Sequence, residues 1–326
     1  MMHRRSLITG LGTILIAPTA ARAQQAGKVY KIGSLSQATA GVGDRYTDAF
    51  LQGLRDSGYI EGQNFILERR YAEGRLDRLP DLAASLVALK VDAIFARSSH
   101  AVRAARNATR TIPIIAADLE SDPIAMGFVT TLAKPGGNVT GIFLDLPEVS
   151  AKHVQFLTDV VPKLSRVAVL GDLTINASHF EAVHEAALVR AVKVQALEVK
   201  NEMDVDRALE LAIKERAGAL IVFSSSFMFL QRIKIAAAAI KNRLAAIALW
   251  REFVEVGGLM SYGADLLTLH RQCAAYVDKI LQGIKPGELP VERPAKFQFA
   301  LNMKTAKALG LTIPRSLLLR ADQVIE

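Results

Sequence analysis

At 326 residues, 51% of them hydrophobic, the chain is too long for one ordinary core and suits two domains of roughly 130–150 residues each. The formal charge of +8 includes Arg4, Arg5 and Arg22 of a leader expected to be removed, which lowers it to +5, and no Lys/Arg run or basic-aromatic stripe concentrates what is left. That pattern argues against nucleic acid as a partner, and a single cysteine, Cys273, excludes an intramolecular disulfide.

The first residues carry the three parts of an export signal. Arg4 and Arg5 form the positive end, and Leu7–Ala17 is an apolar stretch too short to span a bilayer. Ala21-Arg22-Ala23 is a small-x-small cleavage site, so residues 1–23 are expected to be removed and the mature chain to begin near Gln24. The paired arginines suit both a twin-arginine and a general-secretion leader, and both routes stay open. No cysteine follows the apolar run, so no lipid anchor is expected there. No later stretch is long and apolar enough to span a membrane. The expected product is a soluble periplasmic protein with no stable membrane insertion.

From Val29 the chain alternates short β-rich runs with helical patterns. Strands are predicted over Val29–Leu35, Phe65–Tyr71, Ala93–Arg97, Ile112–Ala117 and Val139–Phe143. Helices are predicted over Asp44–Ser57, Asp77–Leu89 and His100–Thr109, with a further helix capped by Asp122-Pro123. After a helix over Pro147–Val161 the train repeats. Strands are predicted at Arg166–Leu170, Lys193–Val199, Ala219–Phe223 and Ala245–Leu249, and helices at Asn176–Arg190, Met203–Arg216 and Phe227–Asn242. Two such trains imply an α/β protein of two Rossmann-like, doubly wound lobes with parallel sheets.

A further strand at Gly258–Ser261, a helix at Asp265–Gln282 and a strand at Phe297–Leu301 precede the tail Met303–Glu326. This extra unit suggests that the chain re-enters the first lobe and then returns. Three crossover segments are therefore expected, near Leu144–Leu146, Glu252–Val256 and Lys285–Val291. The first lobe would comprise residues 28–144 plus 257–286, and the second 146–254 plus 291–326. With no long flexible linker between them, the lobes are expected to move on a hinge. Trp250–Glu255 would then be a strap between lobes, with Trp250 and Tyr262 at facing strand ends like a clamp.

Ligands of doubly wound sheets bind beyond the strand C-termini. The loops there offer Ser36 and Gln37, Ser98, Ser99 and His100, Asp118, Asn176, and Ser224. Hydroxyls and first-turn N–H groups make such places ready for a carboxylate, while each Ser or Asp also suits a plain helix cap. Trp250 and Tyr262 can wall an aromatic ligand or simply fill core. Catalytic signals are sparse. His179 and His184 are five apart and face different ways on a helix, Gly41-Val42-Gly43 lacks the third glycine of a dinucleotide fingerprint, and no local motif supports a nucleophile. Neither an enzyme nor a cofactor or metal site is expected.

Several phrases carry a resemblance. Asp56-Ser-Gly-Tyr-Ile-Glu-Gly-Gln-Asn64, Ala72-Glu-Gly74, Leu132-Ala-Lys-Pro-Gly-Gly-Asn-Val-Thr-Gly141, Arg251-Glu-Phe-Val-Glu-Val-Gly-Gly-Leu-Met-Ser-Tyr-Gly263 and Asn302-Met-Lys-Thr-Ala-Lys-Ala-Leu-Gly-Leu311 resemble the solute-binding proteins of ABC transporters related to the TrpX-type tryptophan-binding proteins. The resemblance runs from about Val29 to Glu326. It implies a type I periplasmic-binding-protein fold with the ligand between two lobes. It also implies an exported, monomeric receptor that closes on a small organic ligand, an amino acid or other carboxylate that could be aromatic, and delivers it to an inner-membrane ABC permease. The alternative is a receptor feeding a sensor kinase or chemoreceptor. The pocket phrases depart from the family: Ser98-Ser99-His100 stands where a Gly-Thr-Pro-like phrase is common, Gly171-Asp172-Leu173 where Asn-Pro pairs follow the strand, and Ser224-Ser-Ser-Phe227 where an Asp-Pro-like phrase is usual. Fold and role therefore transfer more safely than ligand identity.

Overall fold

Runs such as Ala93-Ile-Phe-Ala-Arg97, buried at all five positions, require a sheet covered on both faces. The computed structural model, which describes residues 28–41, 44–118, 121–144 and 146–326 without the side chains of Asp44 and Asp118, contains two such sheets. The expected leader, residues 1–23, lies outside the described residues.

The first sheet is assembled from β1 (Tyr30–Ser36), β2 (Phe65–Tyr71), β3 (Ala93–Arg97), β4 (Ile114–Asp118) and β5 (Val139–Phe143), in the order β2-β1-β3-β4-β5. All its pairings are parallel. Helices α1 (Asp44–Asp56), α2 (Leu79–Ala88) and α3 (Ser99–Ala108) connect the strands. The helix expected after Asp122-Pro123 is absent. The Asp122 carboxylate instead accepts from the N–H groups of Ile124 and Ala125 and holds a turn.

The second lobe opens with α4 (Pro147–Val160), β6 (Arg166–Gly171), α5 (Ala177–Val189), β7 (Lys193–Glu198), α6 (Glu202–Lys214) and β8 (Ala219–Val222). The stretch expected as one helix, Phe227–Asn242, is two: α7 (Ser226–Leu230) and α8 (Arg232–Lys241), broken at Gln231. Then come β9 (Ala245–Ala248), α9 (Arg251–Glu255) and β10 (Met260–Ala264).

Here the expected lobe boundaries need correction. β10 pairs parallel with β9 in the second sheet, so Trp250–Glu255 is not a strap but the start of a short connection within one lobe. The chain re-enters the first lobe only after Ala264, with α10 (Leu266–Leu281) packed along α1. It also stays there past Val291. Val291 N–H donates to Leu132 O, Glu292 bridges to Ile142, and the return falls between Glu292 and Phe297. β11 (Phe297–Asn302) then lies antiparallel to β10. The tail forms α11 (Met303–Leu309), α12 (Arg315–Leu318) and β12 (Gln323–Ile325), which completes the order β12-β11-β10-β9-β8-β6-β7.

The seating of α10 on α1 is close. A Cβ on Gly53 would stand 2.4 Å from Arg271 O, so glycine is needed for the two backbones to approach. Asp56 pairs with Arg271 at 2.6 Å and the Tyr59 hydroxyl donates to Asp278 at 3.1 Å. Phe50 and Phe95 stack 4.1 Å apart beneath. Cys273, buried on the same helix, has its thiol pKa pushed up by burial and aims Sγ at Ala116 O. It is a core residue rather than a reactive one.

Candidate functional site

The C-terminal ends of β1, β3 and β4 face those of β8 and β9 across a cleft of about 600 Å³, its open mouth included. Ser36, Arg97, Ser98 and Ala117 border it from the first sheet, with Ala38 and Tyr46 beside them and Leu266 and His270 supplied by α10. Opposite stand Ser224, Ser225, Ser226, Phe229 and Trp250.

One side is a chain of rings that crosses from lobe to lobe. Trp250, 2% exposed, stands edge-on to Phe229 with centroids 5.6 Å apart, and Phe229 lies 6.2 Å from Tyr46. Tyr46 stacks on His270 at 4.9 Å. The Arg232 guanidinium lies 4.3 Å over the Phe229 ring, a cation–π contact that helps to fix it. Such a wall suits a flat, apolar body.

The other surfaces are polar. Arg97 ends a wholly buried strand and donates from Nη1 to Thr47 Oγ1 at 3.1 Å. Ser98 caps α3, its Oγ accepting from Ala101 N–H at 3.2 Å, and Ser225 does the same for Met228 N–H at 3.0 Å. Each oxygen is thus engaged as acceptor while its O–H stays available to donate. Hydroxyl donors beside a guanidinium suit an anionic group such as a carboxylate. Ser98 holds φ 107° and ψ 155°, a region that only glycine adopts without strain.

Of the residues singled out from sequence, Ser36, Ser98, Ser224 and Trp250 meet in this cleft. Gln37 and Ser99 are buried next to it without bordering it, and His100 is half-buried on α3. Asp118 ends β4, and its side chain lies outside the described residues. Asn176 is turned inward, its amide donating to Asp172 O at 3.0 Å. Tyr262 belongs to the second lobe, not the first. It packs on Phe156 and Phe297, and Lys152 Nζ reaches its hydroxyl at 3.1 Å, so it is no jaw of a clamp. The reason is the pairing of β10, which places it on the face covered by α4. His179 is buried against Ser150 at 2.8 Å, whereas His184 is exposed. Among the described residues no cluster of three metal-ligating side chains occurs.

Sequence reasoning missed Tyr46, Arg97, Phe229 and His270. Arg97 carried a signal: a charge closing an otherwise apolar strand must meet either a partner or a site. Tyr46 and His270 carried none, because each sits at a helical position that reads as ordinary core.

Residues 42–325 match the family described as ABC transporter substrate binding protein. A Tyrosine-binding protein of Clostridioides difficile (strain R20291) is 26% identical over 272 residues, 82% of this chain and 77% of that protein. An ABC domain from Streptococcus pneumonia in complex with L-Trp is 24% identical and superposes with a TM-score of 0.84, covering 91% of this chain and all of that one. The ligand-free, open structure of a substrate binding protein with adhesive properties from Clostridium difficile is 26% identical, with a TM-score of 0.66 over 91% of this chain and 99% of that one.

Proposed function

We propose, for a chain that belongs to the ABC transporter substrate binding proteins, that it is an exported receptor closing its two lobes on an aromatic amino acid or aromatic carboxylate. Substrate binding rather than catalysis is the business of the family. One observation carries the ligand class: the aromatic rings of Trp250, Phe229 and Tyr46 line one cleft together with Arg97 and a set of serine hydroxyls. An apolar ring fits the first and a carboxylate the second. The relatives named for tyrosine and seen with L-Trp support the same class.

A ligand that touches both lobes only when they are closed must favour the closed form. The arrangement here is nearer the L-Trp-bound structure than the ligand-free, open one, since the same share of the chain superposes at 0.84 against 0.66. The closed form of a monomer would then present both lobes to an inner-membrane ABC permease. The leader over residues 1–23 supports delivery to the periplasm.

The test is a thermal-shift panel on the mature chain from Gln24, with amino acids, aromatic carboxylates, short-chain acids, sugars and nucleosides. A ligand at 100 times its Kd stabilises by about 2.7 kcal/mol and must raise the Tm. Aromatic amino acids or carboxylates are expected to head the panel. A shift from sugars or nucleosides alone would discard the ligand class. The importer role requires that a deletion strain lose uptake of the compound identified.

A further inference from the structure

We infer that His270 determines specificity in the cleft, its Nε2 accepting a hydrogen bond from a neutral donor, a phenol O–H or an indole N–H, on an aromatic ligand; the inference rests on the ligand class proposed above. His270 lies one turn into α10, whose first turn is fixed by the Asp265 carboxylate accepting from Thr268 N–H at 3.1 Å. Its Nδ1 stands 2.7 Å from Leu266 O. A carbonyl oxygen can only accept, so Nδ1 carries the hydrogen and Nε2 presents a lone pair. The ring cannot turn away, because Tyr46 stacks on one face at 4.9 Å and Phe95 meets it edge-on at 6.0 Å.

His270 is 4% exposed and borders the cleft. Nδ1 is committed to the helix, which leaves Nε2 as the acceptor of a ring that borders the cleft. Burial, reinforced by the positive charge of Arg97, pulls the imidazole pKa down to about 3. The ring is therefore neutral at any working pH, and its role as acceptor is permanent. The same Arg97 charge disfavours a cation at this spot, which selects a neutral donor over the ammonium of an amino acid. Around it the rings of Tyr46 and Phe229 favour an aromatic carrier for that donor. A ligand that fills the cleft without a donor leaves Nε2 desolvated and unpaired, which is the arrangement that rejects close analogues most strongly.

The experiment measures heats of binding for two matched pairs: L-tyrosine with L-phenylalanine, and L-tryptophan with its indole-N-methyl derivative. For at least one pair the donor-bearing member is expected to bind the native protein about tenfold more tightly. His270→Phe keeps a ring for Tyr46 to stack on and removes the acceptor. In that variant the preference should fall to about one while the donor-free member still binds, which a merely structural role would not produce. His270→Gln, which offers an amide oxygen, should restore part of the preference. Equal binding within both pairs by the native protein, or a preference undiminished in His270→Phe, overturns the inference and leaves the receptor reading standing. Failure of all four compounds to bind, with binding of a non-aromatic ligand, overturns both.

Discussion

The Tyr46 hydroxyl donates to the Glu252 carboxylate, joining a ring that walls the cleft in the first lobe to the start of α9 in the second. Glu252 is buried and also takes the guanidinium of Arg45, which reaches Glu255 at 3.4 Å as well. Two neighbours on α1 thus hold two carboxylates on α9. The Tyr46 phenol pKa is pushed well up by burial and by the Glu252 charge, so the hydroxyl stays protonated and remains a donor. The cleft wall and the contact between the lobes share one side chain.

Tyr46→Phe keeps the ring on His270 and leaves Glu252 its Arg45 partner, so it removes only the cross-lobe hydrogen bond. Bonds to charged groups contribute about 1.5–3 kcal/mol, and the open form gains by that amount. Affinity should fall at least about tenfold with the Tm of the free protein little changed. Calorimetry paired with small-angle scattering of the ligand-bound form checks this. Unchanged affinity would mean that the bond does not govern closure.

Ser98→Gly is expected to stabilise the fold. Strain in this backbone region costs about 1–3 kcal/mol, and replacing a serine cap by glycine costs only a few tenths. Ser98→Ala keeps the strain and loses the cap, so it should destabilise by about 1 kcal/mol. Urea midpoints of the two variants should move in opposite directions, and movement of both downward would refute the strain argument.

Gly53→Ala should loosen α10. The added methyl would press on Arg271 O and on the Ala274 side chain, and overpacking of this kind costs about 1–3 kcal/mol. Because α10 carries His270, ligand affinity should fall along with the Tm. A Tm equal to that of the native protein would show that the helices can part at no cost.

Acid should weaken the fold through buried histidines. His153, on α4, donates from Nε2 to Tyr262 O at 2.7 Å, and burial, with a smaller contribution from His179, draws its pKa down to about 4. In the unfolded chain a histidine protonates near 6.5. Below that pH the unfolded state takes up a proton that the native state refuses. The stability is therefore whole above pH 6.5 and is lost as pH falls toward 4, by up to about 1.4 kcal/mol per pH unit for each such histidine. His270 adds a similar loss that extends to about pH 3. His153→Gln retains a donor for Tyr262 O and should flatten the pH dependence of the urea midpoint. An equally steep dependence in that variant would rule His153 out as its source.

Much of the architecture was readable from local pattern. Five buried positions in a row at Ala93–Arg97, or the helical spacing of Tyr46, Phe50 and Leu54, are properties of a few consecutive residues, and burial periodicity reports them directly. The serines at strand ends were readable too, because caps and ligand loops draw on the same residue types.

By itself the sequence determined the alternation of strands and helices, the two-lobed doubly wound plan, and the end of each sheet at which a ligand could lie. Only the tertiary structure decided that β10 joins β9, that Tyr262 therefore faces α4, and that the chain returns to the first lobe only from α10 through Glu292. Strand pairing is non-local: Gly258–Ser261 has the same apolar pattern whichever sheet it enters. Tyr46 and His270 likewise look like core in their own helices. They become cleft residues because the other lobe approaches from outside, bringing Phe229 and Glu252 to positions that no local spacing encodes.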